Sequence, residues 1–456
     1  MSAGVLHMRE RLGSLDAAWF HMDRPENSAD VVGMLVFREL PRFERLRAII
    51  EERLVTCPRF RQRVVPGAGF ASGAWQDDPF FDLERHLVRL RVDGGREALA
   101  ARLGVLASTP LDPAHPLWRV EVVEGAEEPA VLVKLHHCIA DGFALVSLLL
   151  SLADDPPAPR VSAHAVAGFQ RLAPWLDPRR ALLPALRRPG GAAALALQAA
   201  SVAAALARMT ALRRDPPTAW QRPLSGTRHL AWSSGASLRE VRRVAREHGG
   251  TVNDVLLAAL SGAVRSELAH AGEAVDDLRV RALVPVNLRP GPPDARGGDL
   301  GNRFGLVYLD LPVSQSRRAA RLAAIRERMT ELKRRPDALA SFGMLGLVGL
   351  AHPLARPATA FYSRKASLVV TNVPGPRHRL RLAGRRIEHA MFWVPHPATL
   401  GVGVSILTYA GEVRVGVRAD AALLPAPERL VAAFERELAA LTAASAPAVA
   451  RAHAFA

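Results

Sequence analysis

The stretch Val131-Leu-Val-Lys-Leu-His-His-Cys-Ile-Ala-Asp-Gly142 decides the fold of this chain. Its first part, residues 130–135, is short, apolar and rich in Val and Leu, which is typical of a strand inside a sheet. Asp141-Gly142 is a turn signal, and residues 143–152 that follow are apolar at helical spacing. His136 and His137 therefore lie where a rigid strand gives way to a loop, a common position for catalytic groups.

The two histidines cannot share one task, because adjacent side chains on a strand point to opposite faces. One ring is expected to face a cavity and the other the protein interior. This geometry argues against a metal site built on both rings, and a structural zinc site lacks cysteines, since Cys57 and Cys138 are the only two. We therefore predict no metal and no disulfide framework, and the pair of cysteines fits a reducing cytoplasm.

The string His136-His137-Cys-Ile-Ala-Asp141-Gly142 resembles the HHxxxDG signature of the CoA-dependent acyltransferase superfamily. Other motifs stand around it in order: Leu15-Asp16-Ala-Ala-Trp-Phe-His-Met-Asp-Arg-Pro-Glu-Asn27, Pro116-Leu-Trp118, Asn253-Asp254, Val284-Pro-Val-Asn-Leu-Arg289, Gly301-Asn-Arg303 and Thr371-Asn-Val-Pro-Gly-Pro376. Together they are similar to the bacterial wax ester synthase/diacylglycerol acyltransferase family, from near residue 10 to about residue 420. Motifs in the right order are far more specific than any one of them.

Strands separated by helices in both halves indicate an α/β chain of the mixed α+β sandwich type. The resemblance implies two chloramphenicol-acetyltransferase-like domains with an active-site tunnel between them. We predict an N-terminal acyltransferase domain over residues 1–160, a linker with an Ala-rich helix over residues 161–223, and a C-terminal acyltransferase-like domain over residues 224–456. A proline cluster at Asp154-Asp-Pro-Pro-Ala-Pro159 marks the start of the linker.

The resemblance also implies the reaction, which is transfer of a long-chain acyl group from acyl-CoA to diacylglycerol or a long-chain fatty alcohol. A histidine with a pKa of about 6.5 is matched to remove the alcohol proton. His137 is the predicted base facing the tunnel, His136 supports it from the opposite face, and Asn253 is the predicted donor to the oxyanion. No Gly-x-Ser-x-Gly elbow is present, so no acyl-enzyme and no cofactor are expected.

Three further residues, Asp141, Gly142 and Arg289, are predicted to be structural. In the superfamily that the chain resembles, the aspartate of the motif pairs with an arginine, and Arg289 matches the expected partner. Other activities use the same residues: a thioesterase with water as acceptor, a condensation-type domain that forms amides, or a lipid-binding, catalytically weak member at the membrane surface.

The formal charge of +16 calls for an anionic partner. Acyl-CoA phosphates and an anionic membrane surface are candidates, whereas nucleic acid is not expected, because no nucleic-acid motif accompanies the charge. An Ala-rich segment, residues 190–212, has apolar residues on one helical face and arginines at both ends. Because no secretory signal is recognisable, we expect a cytoplasmic protein attached peripherally to a membrane or lipid-droplet surface.

Overall fold

The computed structural model describes residues 10–67, 73–141, 151–155, 191–289 and 302–444. Gly142, the predicted helix from residue 143 and Gly301 lie outside these ranges. In chain order, strands β1 to β16 are Glu10–Arg11, Asp30–Phe37, Gln62–Val65, Ala74–Asp77, Leu87–Gly94, Trp118–Ala126, Ala130–His136, Arg228–Trp232, Ala236–Ser237, Val280–Asn287, Phe304–Leu311, Leu368–Pro374, Arg381–Leu382, Arg385–Trp393, Val402–Tyr409 and Glu412–Asp420.

Helices separate most of these strands. In chain order, α1 to α11 are Ser14–Met22, Phe43–Ile49, Leu83–His86, Arg96–Ser108, Gly191–Ala211, Leu238–Glu247, Val252–His270, Arg318–Arg334, Asp337–Leu350, Ala355–Ser363 and Pro427–Ala444. A π-helical turn, Ile50–Leu54, continues α2. Within the described ranges, no helix is both long and apolar enough to cross a membrane.

Two large sheets form the mixed α/β architecture that the sequence predicts. In the first, six strands lie in the order β13-β14-β2-β7-β6-β5, and in the second the order is β11-β10-β12-β15-β16-β8, with β9 also paired to β16. The strand that ends in the histidines, β7, is central in the first sheet and antiparallel to both neighbours. All seven of its residues are buried, which explains why five of them are apolar.

The second sheet divides its side chains between two cores. Along β12, Leu368 and Val370 belong to the core beneath helices α6, α7, α8 and α11, whereas Val369 and Val373 face the first sheet. This follows from the two-residue period of a strand. The helix α7 is buried along most of its length, and Thr251 caps its first turn in a capping box with Asp254.

The hairpin of β13 and β14 comes from the second half of the chain but belongs to the first sheet. Although it comes from residues 381–393, β14 pairs with β2 in antiparallel register, with Met391 opposite Met34. The first sheet is therefore completed by a segment that lies far beyond residue 224, where the second domain is predicted to begin. Domain ranges defined by residue number do not describe this exchange of a strand between the two halves. The three predicted domain ranges therefore stay a prediction.

Candidate active site

The end of β7 holds the two histidines in fixed backbone positions. The backbone N–H of His136 donates to the Leu117 carbonyl at 2.9 Å, and that of His137 donates to the Ala29 carbonyl at 2.8 Å. Both side chains are buried. Because the strand ends at His136, His137 begins the following turn, and the two rings have different surroundings, as the alternation of strand side chains predicts.

His137 is enclosed by aromatic rings. Its imidazole stacks on the indole of Trp19, with ring centroids 4.1 Å apart and planes inclined by 23°, and the edge of Phe304 approaches at 5.5 Å. Burial lowers the pKa of His137 to about 4, against the opposing effect of the nearby Asp141 carboxylate. The imidazole is therefore neutral at neutral pH and free to accept a proton.

A buried amide holds the backbone of His137. The Asn302 amide nitrogen donates to the His137 carbonyl oxygen at 2.8 Å and to Oδ1 of Asp16, also at 2.8 Å. The Asn302 backbone N–H donates to the same Asp16 oxygen at 3.1 Å. Burial raises the pKa of Asp16, although the bonds from Asn302 oppose this shift. Asn302 thus joins helix α1, the histidine turn and the segment before β11.

The predicted pair of Asp141 and Arg289 is confirmed. An Arg289 guanidinium nitrogen donates to Oδ2 of Asp141 at 2.6 Å, and both side chains are almost completely buried. The backbone N–H of Arg303 donates to the same Asp141 oxygen at 2.9 Å. The last described residue of the motif is therefore tied to two segments of the second half of the chain. Gly142 lies outside the described residues, so its predicted structural role stays a prediction.

His136 occupies a polar environment on the other side of the strand end. Its Nδ1 lies 3.1 Å from the Cys138 backbone nitrogen, and its Nε2 lies 3.1 Å from Oδ2 of Asp23. A second buried ion pair lies beside it, where the ammonium of Lys134 is 2.9 Å from Oδ2 of Asp30. His136 is therefore oriented by a carboxylate on one side and by the backbone on the other.

Two cavities adjoin this site. The larger, about 630 Å³, is lined by His136, Asp23 and Asp30 together with Pro110 and Arg356. Hence, of the two histidines of the motif, His136 lines the larger described cavity, whereas the resemblance implied that His137 faces the tunnel.

The smaller cavity, about 40 Å³, is almost wholly apolar. Trp19, Met22, Met209, Met344 and Tyr308 contribute to its wall. Since Trp19 also stacks on His137, this apolar cavity adjoins the aromatic enclosure of the second histidine.

Asn253 lies in the second half of the chain, in the first turn of α7. Its side-chain oxygen accepts a hydrogen bond from the Asn372 amide at 3.0 Å. Among the described residues, the hydrogen bonds of Asn253 do not reach the histidine motif, so its role as oxyanion donor stays a prediction. Within the same ranges, no cluster of His, Cys, Asp or Glu is suited to hold a metal ion.

Three residues near the histidines had no assigned role in the sequence interpretation: Trp19, Asn302 and Asp23. All three belong to the ordered motifs that surround the histidine string, and this was the signal available for them. Their partners are remote in sequence, and local periodicity does not predict such contacts.

Family models match both halves of the chain. The wax ester synthase/diacylglycerol acyltransferase catalytic domain matches residues 12–256, and the C-terminal domain of the same family matches residues 300–442. The chain is 30% identical to a probable diacylglycerol O-acyltransferase of Mycobacterium tuberculosis over 457 aligned residues, which cover 95% of this chain and 96% of the relative.

Solved structures share the fold. A wax ester synthase/diacylglycerol acyltransferase from Marinobacter aquaeolei VT8 superposes with a TM-score of 0.68 at 20% identity, covering 96% of this chain and 99% of that one. The first condensation domain of the calcium-dependent antibiotic synthetase gives a TM-score of 0.59 at 14% identity, covering 96% of both chains. At identities of 20% and 14%, these similarities show the fold alone, and they confirm an architecture of two sheet-rich domains.

Proposed function

The chain belongs to the wax ester synthase/diacylglycerol acyltransferase family and is an acyltransferase, and from this premise we propose that it esterifies diacylglycerol or a long-chain alcohol with a long-chain acyl group from acyl-CoA. The observation that carries the proposal is His137, a buried, neutral imidazole stacked on Trp19 at the end of β7. Its backbone is fixed by Asn302, so the ring has a defined position.

In the proposed step, the oxygen of the acceptor alcohol attacks the thioester carbonyl carbon. His137 takes the hydroxyl proton as the carbon–oxygen bond forms. When the carbon–sulfur bond breaks, the imidazolium returns this proton to the departing CoA thiolate. Every atom and electron is then accounted for by the two substrates, so the step needs no cofactor.

The surroundings of His137 affect the two halves of this proton transfer differently. A pKa of about 4 keeps the ring neutral before the reaction but makes it a weaker base than a free imidazole, and it makes the imidazolium a strong acid afterwards. While the positive charge exists, it lies over the electron-rich face of Trp19, which attracts cations at this range. Asn253 remains our proposed donor to the carbonyl oxygen in the transition state.

The apolar cavity supports a long-chain substrate. Met22, Met209 and Met344 contribute to its wall, and unbranched, flexible methionine side chains rearrange around an apolar guest more readily than branched ones. Because a cavity of about 40 Å³ is too small for a whole long chain as it stands, we propose that an acyl or alkyl chain occupies it once these side chains rearrange. We also propose that the enzyme meets its lipid acceptor while attached peripherally to a membrane or lipid droplet.

The proposal is tested with purified protein, long-chain acyl-CoA and either diacylglycerol or hexadecanol, by following free thiol and lipid product together. We expect thiol release that depends on the acceptor, with one ester formed per thiol. Thiol release at the same rate without acceptor would establish a thioesterase instead. Saturable lipid binding with no thiol release would identify a binding protein.

A further inference from the structure

Two neighbouring helices lack charge on their solvent faces. In α5 no Asp, Glu, Lys or Arg occurs from residue 191 to 207, and α9 with the segment after it has none from residue 338 to 355. Charged residues make up 23% of the whole chain. A helix at the surface of a soluble protein normally carries its charged residues on the outer face, so both helices depart from that pattern.

The outer face of α9 is a stripe of exposed leucines. Leu347 and Leu350 are 66% and 56% exposed, and Leu354, just beyond the helix, is 58% exposed. The opposite face of α9 packs on α1, where Gly349 lies so close to the Ser14 carbonyl that no side chain fits between them. Helix α9 is therefore apolar on both faces, and its outer face is favourably covered only by another apolar surface.

On α5 the exposed apolar residue is Leu197, which is 74% exposed. The two helices are joined by an ion pair, in which Arg208 near the end of α5 donates to Asp337 at the start of α9 at 2.8 Å. At ~1.5 Å of rise per residue, Leu197 lies ~16–17 Å and Leu347 ~15 Å from that ion pair along their helices. We call the outer face of α5 and α9, with Leu354, the apolar face.

Arginines follow the helices of the apolar face closely in the chain. Arg213 and Arg214 follow α5, and Arg356 and Arg364 lie in and just after α10; all four are exposed. Arginines beside apolar side chains match a layer whose surface is anionic and whose interior is hydrocarbon. A symmetric contact with a second copy would bring the same arginines close to their own counterparts, which is unfavourable.

The apolar face is continuous with the candidate active site. Beneath it lies the apolar cavity, to which α5 contributes Met209 and α9 contributes Met344, Leu345 and Val348. The cavity also contacts Trp19, whose indole stacks on His137. A lipid chain that enters between the two helices would reach the side of Trp19 within the same apolar surroundings.

We infer that the apolar face is the surface on which this enzyme rests on an anionic lipid layer, with a lipid chain entering the apolar cavity from it. The inference rests on the proposed function for the identity of the lipid substrate. The evidence that the apolar face is the lipid-binding surface is the exposed leucines and the neighbouring arginines.

The test places an environment-sensitive fluorophore on single introduced cysteines. Both native cysteines, Cys57 and Cys138, are buried, so labelling is selective for the new site. Leu347→Cys reports on the apolar face, and Phe80→Cys, 76% exposed and remote from α5 and α9 in sequence, is the matched control. The probe is a vesicle of phosphatidylcholine with about one third phosphatidylglycerol.

We expect the emission of the label at position 347 to shift to shorter wavelength on addition of vesicles, with no shift at position 80, and added salt to weaken the response. The unlabelled variant Leu347→Ser/Leu350→Ser should bind vesicles at least ~10-fold more weakly, whereas Phe80→Ser should bind as the unmodified chain does.

An unshifted label at position 347 on protein that co-sediments with vesicles would overturn the inference, because lipid would then contact another surface. A shift that depends on protein concentration and needs no vesicles would also overturn it, since a second copy would cover the apolar face. If the label shifts as expected but no acyl transfer occurs, the surface stands and the proposed function fails.

Discussion

Removal of one partner from the buried pair of Asp141 and Arg289 should destabilise the junction between the two halves of the chain. Two opposite charges ~4 Å apart attract by ~4 kcal/mol at an effective dielectric constant of ~20. Loss of one partner from a buried pair costs ~3–5 kcal/mol, because the remaining charge stays buried without compensation. The 2.6 Å contact and the burial of both side chains place this pair in that class.

Asp141→Ala should cost at least as much as Arg289→Ala, because it also removes the acceptor of the Arg303 backbone N–H. Each single variant should be recovered in poor soluble yield. The double variant should lose less stability than the sum of the two, with a coupling energy of at least ~2 kcal/mol. Asp141→Asn keeps an acceptor oxygen and should be the mildest change.

The assay is a double-mutant cycle on unfolding in urea, followed by circular dichroism, with acyl transfer measured on the same preparations. The architectural role would be refuted if Asp141→Asn folded normally, showed no coupling to Arg289 and were as inactive as His137→Ala. Asp141 would then belong to the chemistry and not to the scaffold.

Three further predictions concern the histidines and their supports. His137 must be neutral to accept a proton, and its pKa is lowered to about 4. We therefore expect kcat/KM to stay level from pH 8 to about 5. A fall in kcat/KM centred near pH 6.5, while the protein remains folded, would contradict the assigned pKa. His136→Ala should lower the urea unfolding midpoint more than His137→Ala does, because the substitution removes the ring that Asp23 contacts. His136→Ala should lower the activity less than His137→Ala does. Equal loss of activity with normal folding in both variants would contradict this division of roles. Asn302→Ala should destabilise the protein by ~1–3 kcal/mol, since the buried Asp16 loses the side-chain donor of Asn302 and keeps only the backbone N–H of residue 302. It should also lower kcat more than it raises KM. An unchanged kcat in Asn302→Ala would show that the His137 backbone needs no such support.

The strand that ends in the histidines could be predicted from residues alone. Five of the six residues before His136 are apolar, with Lys134 the exception, and such a run is typical of a central, buried strand, which is the position that β7 has. The mostly apolar stretches 281–288 and 304–311 also predict strands, and the alternation of apolar and polar residues over 412–419 predicts a third. All three agree with the structure within a few residues.

The stretch Thr251-Val-Asn-Asp254 also predicts the start of a helix, with Asn253 and Asp254 as candidate caps. Asn253 and Asp254 both stand in the first turn, and both side chains are common at helix ends. The structure uses Thr251 as the N-cap and Asp254 as its reciprocal partner, so the Asn253 side chain is left to bond with Asn372.

Contacts between remote segments could not be derived from periodicity. The stacking of Trp19 on His137 and the bond from Asn302 to the His137 carbonyl join residues that are neighbours only after two sheets have packed together. The exchange of β14 into the first sheet is of the same kind. The pairing of Asp141 with Arg289 was anticipated because the family resemblance supplied a partner, and not because the spacing required it.

The measurement that tests the central claim most directly is acceptor-dependent thiol release by His137→Ala, compared with the unmodified chain at equal concentration. General acid–base catalysis contributes ~10²–10⁴-fold, so we predict a rate at least ~100-fold lower, with a urea unfolding midpoint close to that of the unmodified chain. Acyl transfer by the folded variant within tenfold of the unmodified rate would contradict the account, because the buried imidazole beside Trp19 would then not be the base.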